Sequence, residues 1–173
     1  MSASSRAKGA TGEREFARAL EELIGIKLVR NLEQSRRGGH DLIPPQDAAG
    51  PVAEALGRLA VEVKRYASAP SGSVSKWWLQ AVGQGEAVNL WPALAYRADR
   101  QPWRVRLPLA ALRPDLYPLW PDPDLTADLP LAAFASVIRE AGIPARPCHG
   151  SSPAAVFAKV RGGRPSLGAP SHA

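Results

Sequence analysis

Two charged residues of one predicted strand are the first candidates for chemistry. In the run Leu59-Ala60-Val61-Glu62-Val63-Lys64, alternate side chains share a face. Val61 and Val63 would therefore point into a core, while Glu62 and Lys64 lie side by side on the other face. A carboxylate next to an ammonium on a rigid strand is what a metal-dependent phosphodiester-cleaving site requires. The same spacing also fits an edge strand with an exposed ion pair, and Glu-x-Lys alone is too common to decide.

Two further acids occupy positions where a carboxylate is normally unfavourable. Glu13 falls in the middle of the apolar stripe of a predicted helix, where it needs a partner or must reach water from the first turn. Asp41 lies in a predicted strand, although Asp is disfavoured in strands. It is either a turn residue at the strand end or a metal ligand facing Glu62. In the second case, both carboxylates and the Val63 carbonyl offer a hard-oxygen site for Mg²⁺.

The elements that must position these residues follow from periodicity and turn signals. They are predicted in the order helix, three strands, helix, two strands, over about 11–24, 26–30, 40–43, 59–64, 73–89, 92–97 and 103–107. A mobile lead-in over 1–10 and a flexible connection after Pro45 are expected. Beyond Pro114 the prolines preclude continuous regular structure, apart from one helix over about 131–141. We therefore predict a domain over 1–112, a Pro-rich and helical extension over 113–160, and a disordered tail over 161–173.

Composition narrows the class of protein. The chain has 173 residues, 45% hydrophobic and 22% charged, as in ordinary globular domains. Its single cysteine excludes an internal disulfide framework, and no apolar run approaches a membrane span. The N-terminus lacks the apolar segment of a signal peptide, which predicts a cytoplasmic location. The net charge of +6 favours polyanionic partners, nucleic acid first among them.

The combination of Glu13, His40-Asp41 and Glu62-Val63-Lys64 resembles the PD-(D/E)XK nuclease superfamily. The opening run 8–16 and the loop 30–39 are more specifically similar to archaeal-type Holliday junction resolvases and their phage-encoded relatives. The resemblance covers about residues 8–107 and implies an α/β, restriction-endonuclease-like fold with an αβββαβ core and a mixed central sheet. His40 stands where the superfamily name has proline, a position that varies among these nucleases.

The resemblance also implies roles for individual residues. Asp41 and Glu62 would bind Mg²⁺ or Mn²⁺, and Glu13 would complete the acidic cluster, directly or through a metal-bound water. Lys64 would orient or help deprotonate the attacking water and stabilise charge on the phosphate. Gln80, on the helix beside the site, is a further catalytic candidate, although a solvated helix residue fits equally well.

DNA contacts are expected from basic and small polar residues near this site, although such charges in loops are often only solvated. The candidates are Lys8, Arg30, Ser35, Arg36, Arg37 and Arg65. Of the adjacent Trp77 and Trp78, one should pack in the core. The other would lie in a dimer interface or stack on a base.

The function expected from these observations is Mg²⁺-dependent endonucleolytic cleavage of DNA, at branched duplexes. Two symmetric cuts at a four-way junction would require a homodimer with two-fold symmetry. A non-catalytic DNA-binding or recombination accessory protein is one alternative. An exonuclease or nicking nuclease of the same superfamily is another, and the sequence does not separate these possibilities.

Overall fold

A computed structural model describes residues 3–32, 39–120, 122 and 124–147, and its elements follow the predicted order with additions. The helices are α1 (Ala3–Ile24), α2 (Pro51–Gly57), α3 (Ser71–Ala87), α4 (Leu109–Leu112) and α5 (Leu131–Ser136), with a 3₁₀ helix over Pro114–Leu119 and a π-helical turn over Val137–Ala141. The strands are β1 (Val29–Arg30), β2 (Leu42–Ile43), β3 (Leu59–Tyr66), β4 (Trp91–Ala98), β5 (Arg104–Pro108) and β6 (Thr126–Pro130). No helix of this described part is long and apolar enough to cross a membrane.

The strands form one mixed sheet in the order β1-β2-β3-β4-β5-β6. Strands β3 and β4 are parallel, as expected for strands joined by a crossover helix, and every other neighbouring pair is antiparallel. The long strands β3 and β4 are buried along most of their length, so they form the centre of the sheet. This mixed α/β architecture confirms the predicted restriction-endonuclease-like fold class.

Helices cover the two faces of the sheet differently. Helix α1 lies on the face that carries Arg65, since a Cβ added at Gly12 would lie 3.1 Å from Arg65 Cβ. Helix α3 lies on the opposite face, where Gln80 reaches Glu62. The packing of α1 on this face includes an edge-to-face contact between Phe16 and Trp103, and Glu15 of α1 pairs there with Arg65. Side chains of α1 and side chains of α3 therefore lie on opposite faces of the sheet.

The first helix is longer than the sequence predicts. The predicted stripe is confirmed, because Phe16, Ala17 and Leu20 are buried, and Gly25 ends the helix with a φ of +75°. The helix begins at Ala3, however, so the lead-in expected over 1–10 is wrong from that residue onward. Residues 3–12 contain no proline, and a nucleated helix extends at low cost through such a segment.

The connections around the predicted acid on β2 also differ from expectation. Strands β1 and β2 have only two residues each, so Asp41 lies just before β2 instead of inside a longer strand. The connection expected to be flexible contains α2, which starts with proline at its first turn and buries Leu56 in the core. The signal was present in the sequence as Pro51 followed by an Ala- and Leu-rich run.

The segment after residue 112 completes the sheet and closes one end of it. Strand β6, which the sequence analysis did not predict, pairs with β5 along its length. Past α5, the chain returns to the core, where Arg58 donates to the Ile143 carbonyl at 2.5 Å and Trp91 Nε1 donates to the Pro144 carbonyl at 2.9 Å. The tail over 161–173, expected to be disordered, lies outside the described residues.

Candidate active site

Two backbone hydrogen bonds place Asp41 beside Glu62. The Asp41 N–H donates to the Val61 carbonyl at 2.8 Å, and the Val63 N–H donates to Asp41 Oδ2, also at 2.8 Å. The carboxylate of Asp41 is thus held against the strand segment that carries Glu62. Asp41 accordingly has a structural role as well. Its side-chain oxygen accepts the Val63 N–H, in place of a backbone carbonyl, just before β2 begins.

Glu62 is a buried carboxylate on a central strand. Its residue is only 2% exposed, so the alternative of an exposed ion pair on an edge strand is wrong. Lys64 Nζ lies 2.5 Å from Glu62 Oε1, and Gln80 Nε2 donates to the same oxygen at 2.8 Å. Glu62 Oε2 is buried and accepts no hydrogen bond from any residue that the structure describes. Val61 and Val63 are buried on the opposite face, as predicted.

The surroundings of Glu62 favour its neutral form. Burial, and then the negative charge of Asp41, raise the pKa of Glu62 from 4.5 to about 7, against the opposing effect of Lys64. The side chain of Gln84, one helical turn beyond Gln80, also favours the charged form. A carboxyl group whose pKa is raised to about 7 is typical of functional sites, and a bound cation would favour its ionised form.

Gln84 is a residue that sequence reasoning missed. It follows Gln80 by four positions, so both side chains lie on the face of α3 that meets Glu62. The signal was available in the sequence as two glutamines at helical spacing on the helix that follows Glu62-Val63-Lys64. The structure therefore brings together Asp41, Glu62, Lys64 and the two glutamines.

Glu13 lies apart from this group. It is buried on α1 and forms a tight ion pair with Arg30, in a cleft of about 470 Å³ between α1 and the first two strands. The stripe that buries Glu13 also fixes α1 against the face opposite Glu62, which explains the separation. Within 3–32, 39–120, 122 and 124–147, no three carboxylate, imidazole or thiol groups lie close enough to hold a metal ion. The three-acid cluster implied by the resemblance is thus reduced to two acids in this arrangement.

The predicted DNA-binding residues have different surroundings. Arg30 is half exposed beside Glu13, at the edge of the sheet. Arg65 donates to Glu15 at 3.0 Å and lies 3.2 Å from Asp99, so its guanidinium is engaged within the protein. Ser35, Arg36, Arg37 and the side chain of Lys8 lie outside the described residues.

His40, next to Asp41, is buried, and burial lowers its pKa against the opposing charge of Asp41. The imidazole is therefore neutral at physiological pH. It fills the position before the first acid as a neutral, space-filling group.

A second polar cluster, also missed from the sequence, lies on the same face of the sheet as Lys64. In the register, Lys64 is paired with Tyr96, and Tyr96 with Arg104. Asp128 accepts from the Tyr96 hydroxyl at 2.6 Å, from Arg104 Nε at 2.6 Å and from Arg106 at 2.9 Å. Two arginines share one carboxylate here, which leaves one net positive charge near Lys64.

Three residues define the PD-(D/E)XK class. They are the buried acid Glu62 on a central strand, Lys64 two residues after it, and Asp41 just before the neighbouring strand. Residues 4–119 match the family described as "Phage putative PDDEXK endonuclease", and the chain belongs to that family. A similar protein is Protein D14 of Escherichia phage T5, which is 28% identical over 122 residues, covering 62% of this chain and 72% of D14. No solved structure matches the chain significantly. The superfamily predicted from the sequence is confirmed.

Proposed function

We propose that this protein is a divalent-metal-dependent DNA endonuclease that cuts branched duplexes as a homodimer. The observation that carries the proposal is the buried carboxylate of Glu62 beside Asp41, with Lys64 Nζ 2.5 Å from Glu62 Oε1. Burying such a carboxylate is costly even beside Lys64, since burial and Asp41 still raise the pKa of Glu62 to about 7. A binding protein would gain nothing from retaining it. Membership of the nuclease family supports DNA as the substrate.

The donor set suits Mg²⁺ or Mn²⁺, which prefer oxygen ligands. Asp41 and Glu62 would hold the cation together with the Val63 carbonyl. Such an ion would satisfy Glu62 Oε2, which has no hydrogen-bond partner among the described residues. When bound, the cation would supply Lewis acidity toward the phosphate and the attacking water. Lys64 would position that water and stabilise the charge that develops on the phosphate. Gln80 would fix the orientation of Glu62.

Glu13 has a supporting role in this proposal. Its carboxylate is paired with Arg30 on the α1 side of the sheet, and it would have to leave that partner to reach the ion directly. A role through a bridging water requires a smaller movement. We therefore expect Glu13→Gln to reduce cleavage less than the loss of Asp41 does.

Contacts to phosphates flanking the cut are proposed for basic and small polar residues on either side of Asp41 in the sequence. The set is Lys8, Arg30, Ser35, Arg36, Arg37 and Arg65. Arg30 is half exposed beside Glu13 on the α1 side of the sheet, whereas Arg65 already meets two carboxylates and would contribute less. The preference for branched DNA and the dimer rest on the similarity to junction resolvases noted in the sequence, since paired cuts require two symmetric sites.

The test compares linear duplex, single-stranded and four-way-junction DNA, with and without Mg²⁺. Wild type should make symmetric nicks at the junction, only with the metal. Asp41→Asn should abolish cleavage and retain DNA binding, and Lys64→Ala should reduce cleavage by orders of magnitude. Asp47→Asn, a matched change at an exposed acid, should behave as wild type.

Other outcomes would contradict parts of the proposal. Ladder-like degradation of linear DNA would indicate an exonuclease instead. Binding without cleavage in any divalent metal would indicate the accessory protein. Equal cleavage by wild type and Asp41→Asn would remove Asp41 from the site.

A further inference from the structure

Two aromatic side chains form an exposed stack next to the candidate active site. The rings of Tyr66, at the end of β3, and Trp77, on α3, lie 4.7 Å apart with an angle of 17° between their planes. Tyr66 is 51% exposed, and Trp77 is partly buried. The neighbouring Trp78 is buried in the core, so it is Trp77 that remains near the surface. We call Tyr66 and Trp77 the aromatic stack.

The aromatic stack continues the row of catalytic candidates. Glu62, Lys64 and Tyr66 alternate along one face of β3, and α3 covers that face through Gln80 and Trp77. Two residues of strand span about 7 Å, which is about two base steps of a stacked nucleic acid strand. A base two nucleotides or fewer from a phosphate held at Lys64 would therefore lie within reach of the Tyr66 ring.

The charge beside the aromatic stack suits a nucleic acid. Lys64 precedes Tyr66 on the same face, and Arg104 lies on that face two strands away, with its side chain 43% exposed. Asp128 holds Arg104 through hydrogen bonds to its side chain and backbone, at 2.6 and 2.8 Å. An aromatic surface flanked by fixed cations is the combination with which proteins bind unpaired bases and their phosphates.

On the basis of the proposed nuclease function, we propose that the aromatic stack receives an unpaired base of the DNA substrate. A base within a continuous duplex has both faces covered by its neighbours, and extruding it costs a few kcal/mol. A base at a branch point or in a flap already has a free face. The aromatic stack would therefore make the protein prefer DNA with unpaired nucleotides within about two positions of the cleaved phosphate.

The experiment measures binding in the cleavage-deficient Asp41→Asn background, with two DNAs of the same sequence. One is a fully paired duplex, and the other carries a flap whose first unpaired base is 2-aminopurine. We expect tight binding of the flap DNA with a quenched 2-aminopurine signal. Because stacking is worth about 1–3 kcal/mol per base, Tyr66→Ala and Trp77→Ala should each weaken flap binding roughly 5- to 150-fold and relieve the quenching. Duplex binding should change by less than about 2-fold.

Controls separate stacking from folding. Tyr66→Phe and Trp77→Phe keep an aromatic face and should retain most of the flap preference. Leu79→Ala removes another exposed apolar side chain of α3 and should leave both affinities unchanged. Equal weakening for both DNAs, or unchanged quenching in the alanine variants, would overturn the inference. The inference would also be overturned if the alanine variants changed their sedimentation coefficient but kept the flap preference. That result would assign the aromatic stack to an interface between copies of the chain.

Failure of the proposed function has a different signature. If the unmutated protein cleaves DNA with Mg²⁺ but the aromatic variants keep the wild-type flap preference, only the present inference fails. If the unmutated protein binds DNA and cleaves none in Mg²⁺ or Mn²⁺, the nuclease proposal fails, whatever the aromatic variants do. If no DNA binds, both fail.

Discussion

Replacing Glu62 by glutamine tests whether the ionised carboxylate of Glu62 destabilises the folded protein when no cation is bound. Burial and Asp41 raise the pKa of Glu62 from 4.5 to about 7. At about 1.4 kcal/mol per unit of pKa, keeping this group ionised costs the folded protein about 3 kcal/mol. Glutamine has the same shape and an oxygen that can still accept from Lys64, but it carries no charge. Without divalent metal, Glu62→Gln should therefore be more stable than wild type at about pH 8 and inactive in cleavage.

The sign of the pH dependence follows from the direction of the pKa shift. Because the folded pKa lies above the unfolded value, the folded state is favoured most when Glu62 is protonated. That contribution to stability is complete below about pH 4.5 and is lost as the pH rises through about 7. Between about pH 6 and about pH 8, wild type should therefore lose about 1 kcal/mol more of its free energy of unfolding than Glu62→Gln does.

The assay is urea denaturation of both proteins in EDTA at the two pH values, with unfolding monitored by tryptophan fluorescence. His40 and all other groups titrate in both proteins, so the double difference isolates Glu62. Adding Mg²⁺ at the higher pH should stabilise wild type more than the variant, because the ion binds the folded carboxylate. Equal pH slopes in EDTA would refute the reasoning that Glu62 is held as a strained, buried acid.

Two further predictions concern how the helix beside the site is held. Gly85→Ala should destabilise the protein by about 1–3 kcal/mol in urea denaturation, because the new Cβ would lie 2.9 Å from the Leu90 carbonyl. Gly83→Ala, two residues earlier, has no described heavy atom within 4 Å of its Cβ and should stabilise by up to about 1 kcal/mol. Arg146→Ala should cost about 2–4 kcal/mol in the same measurement, because the buried guanidinium donates to the carbonyls of Gly85 and Leu90 at 3.3 and 3.1 Å.

These predictions have their own controls. A stabilised Gly85→Ala protein would mean that the segment after α3 does not approach the helix closely. Arg146→Lys keeps the charge but not the planar fork, so it should recover only part of the stability. If Arg146→Ala were neutral, the bonds from Arg146 to the Gly85 and Leu90 carbonyls would contribute nothing to stability.

The sequence was informative where local pattern decides structure. Alternation along 59–64 predicted the buried valines and the shared face of Glu62 and Lys64, because a strand has a fixed period of two. Helical spacing predicted that Glu13 lies in the buried stripe of α1. The glycines of α3 show the limit of such reasoning. Both weaken an isolated helix, but only the surrounding chain reveals that Gly85 is required by the approach of Leu90 and Gly83 is not.

By itself, then, the sequence determined the superfamily, the class of fold and the pairing of an acid with a lysine on one strand. Only the tertiary structure decided that Asp41 meets Glu62, that Gln80 and Gln84 join them, and that Glu13 pairs with Arg30 on the other side of the sheet. The physical reason is that faces are set by local periodicity, whereas proximity depends on which helix packs on which face. It likewise depends on which strands become neighbours, and those choices are made by contacts between residues far apart in the chain.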